Sequence, residues 1–375
     1  MNLRNNFKRI TLFAIHRRKE VLTPEFWMTV IRVLRERFNY LDRVSNLEFL
    51  QNLQHIEVRP WNLHIEPTNI CNAKCIFCAY KFQTRPKIVM SDAVYFKALD
   101  DYCSIGGGEL RLHTCVGDPL LDPKLIERIK VARSRSEITK ITTITNGINL
   151  DKVGIEGLLQ SGITDINIST GPWDEKLYQS IYRSKEYHRV NQNVTQLLKI
   201  NADTGRPVRI KISFRSNMSM KKTLELPDYQ AIREYPHEIE FNTDFDTWLG
   251  EIGQKDLLDG MHIRPLSILE KEPCYLLYDG PTVFADGKVG LCGCRDINAQ
   301  SELIIGNILE SHFLELWSSE ATKRLRYRFA EGDFPEICRK CTLYTNLDLY
   351  RSKRGSLRAK LIKEWFESSK KGKSD

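Results

Sequence analysis

From residue 62 onward the chain alternates between two hydrophobic periods. Runs in which every second position is apolar or β-branched occur at 62–66 (NLHIE), 110–114 (LRLHT), 140–145 (KITTIT), 165–170 (DINIST), 208–214 (VRIKISF) and 238–243 (EIEFNT). This period of two predicts strands. Between them, apolar residues recur three and four positions apart, as in SDAVYFKALDDY from Ser91 and DPKLIERIKVARS from Asp122, and these stretches predict helices. Strand, helix, strand repeated six times predicts parallel strands joined by right-handed crossovers. The expected fold is α/β, a partial (β/α)6 barrel, with chemistry at the C-terminal strand ends.

The pattern changes around residue 260. TVFADGKVGLC predicts a small hairpin with Asp286 and Gly287 in a two-residue turn that needs positive φ. A helical stretch over 311–331 then leads to CRKC. Ahead of the barrel, Thr23 and Pro24 start a helix with Phe26, Trp27, Val30, Ile31, Leu34 and Phe38 on one stripe. Leu357, Leu361, Ile362, Trp365 and Phe366 form another near the far end, before the polar tail SSKKGKSD. The expected division is a helical extension at 1–60, the barrel at 61–260, a cysteine-rich extension at 261–350 and a basic helix and tail at 351–375.

Length and composition agree with this division. A chain of 375 residues, 41% hydrophobic and 28% charged, suits about two soluble globular domains. No apolar run reaches the roughly 18 residues of a membrane span, and the N-terminal ITLFAI is too short for a secretion signal, so the expected location is cytoplasmic. The net charge of +8 is concentrated at the ends, since 1–37 and 351–375 each hold nine Lys/Arg against three Asp/Glu. Basic ends fit an anionic partner, such as an acidic redox protein, a phosphorylated substrate or the periphery of a membrane. Solvated helix faces explain them equally well.

Ten cysteines in a reducing compartment point to metal or catalysis when they cluster. Cys71, Cys75 and Cys78 lie in CNAKCIFCAY directly after the first predicted strand, and Cys274, Cys292, Cys294, Cys338 and Cys341 form a second group. Cys103 and Cys115 stand alone and are expected to be packed thiols. Three thiolates on a four-iron, four-sulfur cluster leave one iron open to a small molecule. A zinc site borrowing a distant ligand is the alternative.

The Cys-x3-Cys-x2-Cys spacing after the first strand of a β/α barrel resembles the radical S-adenosylmethionine (SAM) superfamily. That resemblance implies a 4Fe-4S cluster on Cys71, Cys75 and Cys78 that chelates SAM and, on reduction, yields a 5′-deoxyadenosyl radical. It places the Phe77 backbone against adenine. The family's Gly-Gly-Glu signature has a tempting match in GGGE at 106–109, but this precedes its strand, and Gly117 and Asp118 in VGDPLLDP are the better counterpart. Asn146 in ITNG is placed near SAM, and Ser169 and Arg183 become candidates for the SAM carboxylate; Thr170 stands where the family usually has Asp.

Cys274, Gly287, Cys292 and the Cys338-x2-Cys341 pair resemble the SPASM/twitch extension of one radical SAM subgroup, as does the stretch IIGNILESHFLELWSSEATKRLR. The resemblance implies an auxiliary 4Fe-4S cluster closed by Cys274, Cys292, Cys338 and Cys341. Five cysteines fit the shorter twitch form, with one auxiliary cluster, better than the full SPASM form. A zinc ribbon is the alternative. Cys294 is left as an alternative ligand, a packed thiol or a hydrogen-atom donor.

The resemblance covers about 60–345 and implies an enzyme reduced by an acidic donor such as flavodoxin or ferredoxin. Twitch enzymes of this size resemble a dehydrogenase acting on an amino-cyclitol alcohol, so dehydrogenation or epimerisation of a carbohydrate-like small molecule is the leading expectation. Peptide modification is the second. His64, Glu66, Lys211, Arg215 and Trp248 lie near strand ends without a rank among them. From another class, a zinc-stabilised module with nucleic-acid-binding ends is weighed, but no base-reading motif supports nucleic acid.

Overall fold

The computed structural model describes residues 59–345, apart from 172, 206–207 and 267–272, together with two short strands at Arg351–Ser352 and Gly355–Ser356. The predicted terminal helices fall outside the described residues. All six predicted strands form: β1 Asn62–Ile65, β2 Gly108–Leu112, β3 Ile138–Thr145, β4 Asp165–Thr170, β5 Arg209–Arg215 and β6 Glu238–Asn242. Each pairs with the next in parallel.

Alternation sets their faces. Leu63, Ile65, Leu110, Leu112, Ile166, Ile168, Ile210 and Ile212 are buried in one hydrophobic core, under the main helices α1 Asp92–Ser104, α2 Leu125–Arg133, α3 Glu175–Tyr182 and α4 Tyr187–Asp203. The intervening positions point into the barrel lumen. Ser91 caps α1 by accepting from Val94 N, as expected of a helix-starting serine. Gly106 and Gly107 take positive φ after α1, ahead of β2. Gly106 and Gly107 therefore form the bend at the bottom of the barrel, while Gly108 and Glu109 already open β2, so only half of GGGE precedes the strand, and Glu109 faces the lumen beside Arg111.

The C-terminal extension joins the barrel sheet. After the short parallel pair β7 Asp244–Phe245 and β8 His262–Ile263, strand β9 Thr282–Val283 lies parallel to β1, with Thr282 opposite His64. Strands β10 Lys288–Gly290 and β11 Ile304–Asn307 continue outward in antiparallel fashion, giving nine strands in one sheet. Entry to β9 needs glycine, because a Cβ on Gly280 would stand 1.8 Å from the carbonyl oxygen of Asn62.

Two local expectations change. Between β9 and β10 only Gly287 has positive φ, so the connection is a longer turn closed by Gly287 N to Phe284 O rather than a two-residue turn with both residues left-handed. The stretch 311–331 is broken into α5 Phe313–Ser318 and α6 Glu320–Ala330, because the Ser319 backbone is extended and its hydroxyl caps α6 at Thr322 N. A short helix, α7 Glu336–Arg339, carries Cys338.

Candidate metal and cofactor site

The loop after β1 is held on both sides. Thr68 bridges Val89, and Asn69 exchanges hydrogen bonds with Pro86 O and Ile88 N. Across the loop, Lys74 N and Ile76 N donate to Tyr182 O and Ile181 O at 3.2 and 2.9 Å, satisfying end-of-helix carbonyls of α3 that would otherwise lack partners. Cys71, Cys75 and Cys78 are therefore presented at the C-terminal end of β1.

Burial pushes all three thiols up, Cys71 to about 12, and the ionised sulfurs would raise one another at Cys71 and Cys75. Such thiols ionise when a cationic cluster takes the place of the protons. Among the described residues no group of three or more His, Cys, Asp or Glu converges as a single-ion site. Three thiols on one loop at the C-terminal end of β1 match the donor set of a four-iron cluster that keeps one iron open.

The other expected SAM-site residues fall around this loop. Asn146 reaches it directly, with Nδ2 2.7 Å from Asn72 Oδ1 and 4.0 Å from Cys71 Sγ. Gly117 packs so closely on the loop that a Cβ would lie 2.9 Å from Thr68 O. Asp118 is 3% exposed, and its carboxylate accepts from Leu120 N, Thr145 Oγ1 and Asn146 N. These donors tie it to β3, and burial outweighs them, pushing its carboxyl up to about 6. The Phe77 ring stacks on Phe245 at 5.1 Å, and its carbonyl accepts from Trp248 Nε1 at 2.8 Å.

Ser169 and Arg183 are not brought together by any hydrogen bond. Arg183 is an exposed left-handed cap of α3. The guanidinium beside Ser169 belongs to Arg215 at the end of β5, with Nε 3.4 Å from Ser169 Oγ.

The second cysteine group does converge. Cys274, Cys292, Cys294, Cys338 and Cys341 line one cavity of about 180 Å³ with Leu291 and Phe329. A hydrogen bond with Cys294, followed by burial, pushes the Cys292 thiol well up, so Cys294 borders the same space as the four expected ligands. Cys103 packs on the core as expected. Cys115 is half-buried, and its thiol is raised first by burial and then by the Glu66 charge.

Sequence reading missed Arg295 and Asp246, which are buried and ion-paired between the two cysteine groups. It also missed His113 at the end of β2. The adjacency of Arg295 to Cys294 is the signal that could have found the first.

Comparisons with known proteins agree with this geometry. The Radical SAM superfamily model matches residues 65–212, and an iron-sulfur cluster-binding domain, SPASM, matches 274–342. GTP 3′,8-cyclase of Clostridium acetobutylicum is 29% identical over 184 residues, covering 48% of this chain and 54% of that protein. The Chlorobaculum tepidum GTP 3′,8-cyclase is 26% identical over 139 residues, 36% of this chain and 40% of that protein. The chain thus spans about half the length of these relatives. Among solved structures, BtrN in complex with AdoMet and 2-DOIA superposes with a TM-score of 0.50 at 16% identity, covering 76% of this chain and 93% of BtrN. Streptococcus suis SuiB bound to precursor peptide SuiA gives 0.53 at 15% identity, covering 76% and 70%. These likenesses share the barrel and its extension, with SAM and a 4Fe-4S cluster as the cofactors the matched domains imply. No described helix is long and apolar enough to cross a membrane. With three cysteines at the mouth of a parallel barrel and five more around a second cavity, the chain belongs to the radical SAM enzymes that carry a SPASM-type iron–sulfur region.

Proposed function

We propose that this enzyme oxidises a secondary alcohol of a small polyhydroxylated molecule, carbohydrate-like or cyclitol-like, to a ketone, with the single electron that starts turnover supplied by an acidic donor such as flavodoxin or ferredoxin. The observation that carries this reading is the polar lumen. The inward side chains of β1 to β6 form two polar groups: Arg111 bridges Glu109 and Asp279 at 2.9 Å each, with Lys140 3.5 Å from Glu109 and 3.6 Å from Asp165, and Lys211 lies 2.9 Å from Glu240, which also accepts from Ser213 Oγ. Ser213 Oγ is 2.9 Å from Asn167 Oδ1. A wall of fixed donors and acceptors favours a ligand rich in hydroxyls over an apolar one.

When loaded, the two cysteine sets supply hydrogen-atom abstraction through SAM and an acceptor for the second electron. The chain must then receive the hydroxyl proton. His64 and His113 face each other edge-on in the lumen, with ring centroids 6.2 Å apart, and burial lowers both imidazoles below their usual 6.5. A neutral imidazole accepts a proton, and His113, with Nε2 3.0 Å from Thr142 Oγ1, is held in place at the strand end nearest the cysteine loop. Loss of a hydrogen atom from carbon, a proton from the hydroxyl and one electron leaves the ketone.

The test incubates reduced, cluster-loaded protein with SAM and a panel of cyclitols, sugars, peptides and GTP in heavy water. A ketone product formed with 5′-deoxyadenosine from a polyol is the expected result. Deuterium gained at a substrate carbon without a ketone would replace oxidation by epimerisation, and turnover of the peptides or GTP alone would overturn the reading.

A further inference from the structure

Between the two cysteine sets lies a buried chain of contacts. Trp248 and Leu249 both adopt positive φ, +49° and +64°, a conformation that bulky residues hold only when their surroundings enforce it. Asp246 enforces it, accepting from Trp248 N at 3.0 Å. The same carboxylate accepts from Thr342 Oγ1 at 3.0 Å and pairs with Arg295 Nε. The Arg295 guanidinium lies 4.1 Å from the centroid of the Trp248 ring, whose N–H donates to Phe77 O, and it also donates to Cys294 O. The path thus runs from the neighbour of Cys78 to the neighbour of Cys341. Arg295 and Asp246 are 8% and 7% exposed.

A buried charge this close to a redox group shifts its potential, because reduction adds negative charge that a cation stabilises and an anion opposes. We propose that the Arg295–Asp246 pair sets the reduction potential of the iron–sulfur group held by the second cysteine set, with Trp248 fixing the pair against the first cysteine loop. Arg295 and Asp246 are positioning residues in this role. The inference rests on the second set holding an iron–sulfur group, and not on the identity of the substrate.

The experiment uses the full chain with Cys71, Cys75 and Cys78 replaced by alanine, so that only the second group contributes, and follows its midpoint potential by EPR-monitored titration without substrate. Arg295→Gln should move the potential negative and Asp246→Asn should move it positive, while Arg295→Lys and Trp248→Phe stay near the parent. A merely structural pair would shift both charge variants the same way or leave both unmoved at full iron content, and either result overturns the proposal. Should Arg295→Gln fail to load iron, Asp246→Asn alone decides: a positive shift upholds the proposal and any other result sinks it.

Discussion

Glu66 grips Arg85 through two parallel hydrogen bonds, 2.9 Å from Nη1 and 2.8 Å from Nη2, with both side chains buried. Glu66 also accepts from Ala285 N at 3.2 Å, and Arg85 Nε donates to Ile297 O at 2.8 Å. One ion pair therefore joins the end of β1, the far side of the cysteine loop and the C-terminal hairpin. Removing one member of a buried pair costs about 3–5 kcal/mol. Glu66→Gln is expected to lose that much stability in urea unfolding; a loss under about 1 kcal/mol would show that the pair is not a structural tie.

The cavity shared by five cysteines separates ligands from a bystander. Cys338→Ala and Cys341→Ala should each remove about four irons per chain, the content of one cluster, in iron and sulfide assays of reconstituted protein. Cys294→Ala should keep them. Equal loss in Cys294→Ala would make it a ligand.

His113 is expected to act after hydrogen abstraction. His113→Asn should lower ketone formation by about 10²–10⁴-fold while 5′-deoxyadenosine continues to form. Parallel loss of both products would instead assign the imidazole to substrate placement.

Asp118 gives a pH signature. Its folded carboxyl, raised to about 6 from 3.8, binds a proton more tightly than in the unfolded chain. Its contribution is fully present below about pH 4 and is lost as pH rises through about 6. Chemical denaturation across that window should show stability falling by up to about 3 kcal/mol from this group, and Asp118→Asn should flatten the slope.

Local pattern made the barrel legible. In β4, Asp-Ile-Asn-Ile-Ser-Thr sends Ile166 and Ile168 into the core and leaves Asn167 and Ser169 for the lumen, so period and outcome coincide. Cys71, Cys75 and Cys78 were legible for the same reason, since they share one short stretch, whereas the second set runs from Cys274 to Cys341 and was found through its family resemblance. The break at Ser319 is also local, because a serine ahead of Glu320 is a helix cap, and the long apolar period masked it.

Contacts between distant segments were not legible. Arg215 reaches Ser169 because β4 and β5 pair with Ser169 opposite Ser213, a register that no spacing rule supplies. Arg295 and Asp246 lie on different segments joined only by the fold. The family pattern instead pointed to Arg183, which the left-handed cap of α3 leaves exposed.

Strand β9 is hydrogen-bonded alongside β1, through His64 N to Pro281 O at 3.0 Å and Glu66 N to Val283 O at 2.9 Å. The loops bearing Cys71, Cys75 and Cys78 and, in the second set, Cys274 and Cys292 are thus anchored to one pleated framework. An electron tunnelling between them crosses a gap fixed by backbone pairing, so its rate should be indifferent to solvent viscosity, unlike a transfer that waits for a hinge to swing shut.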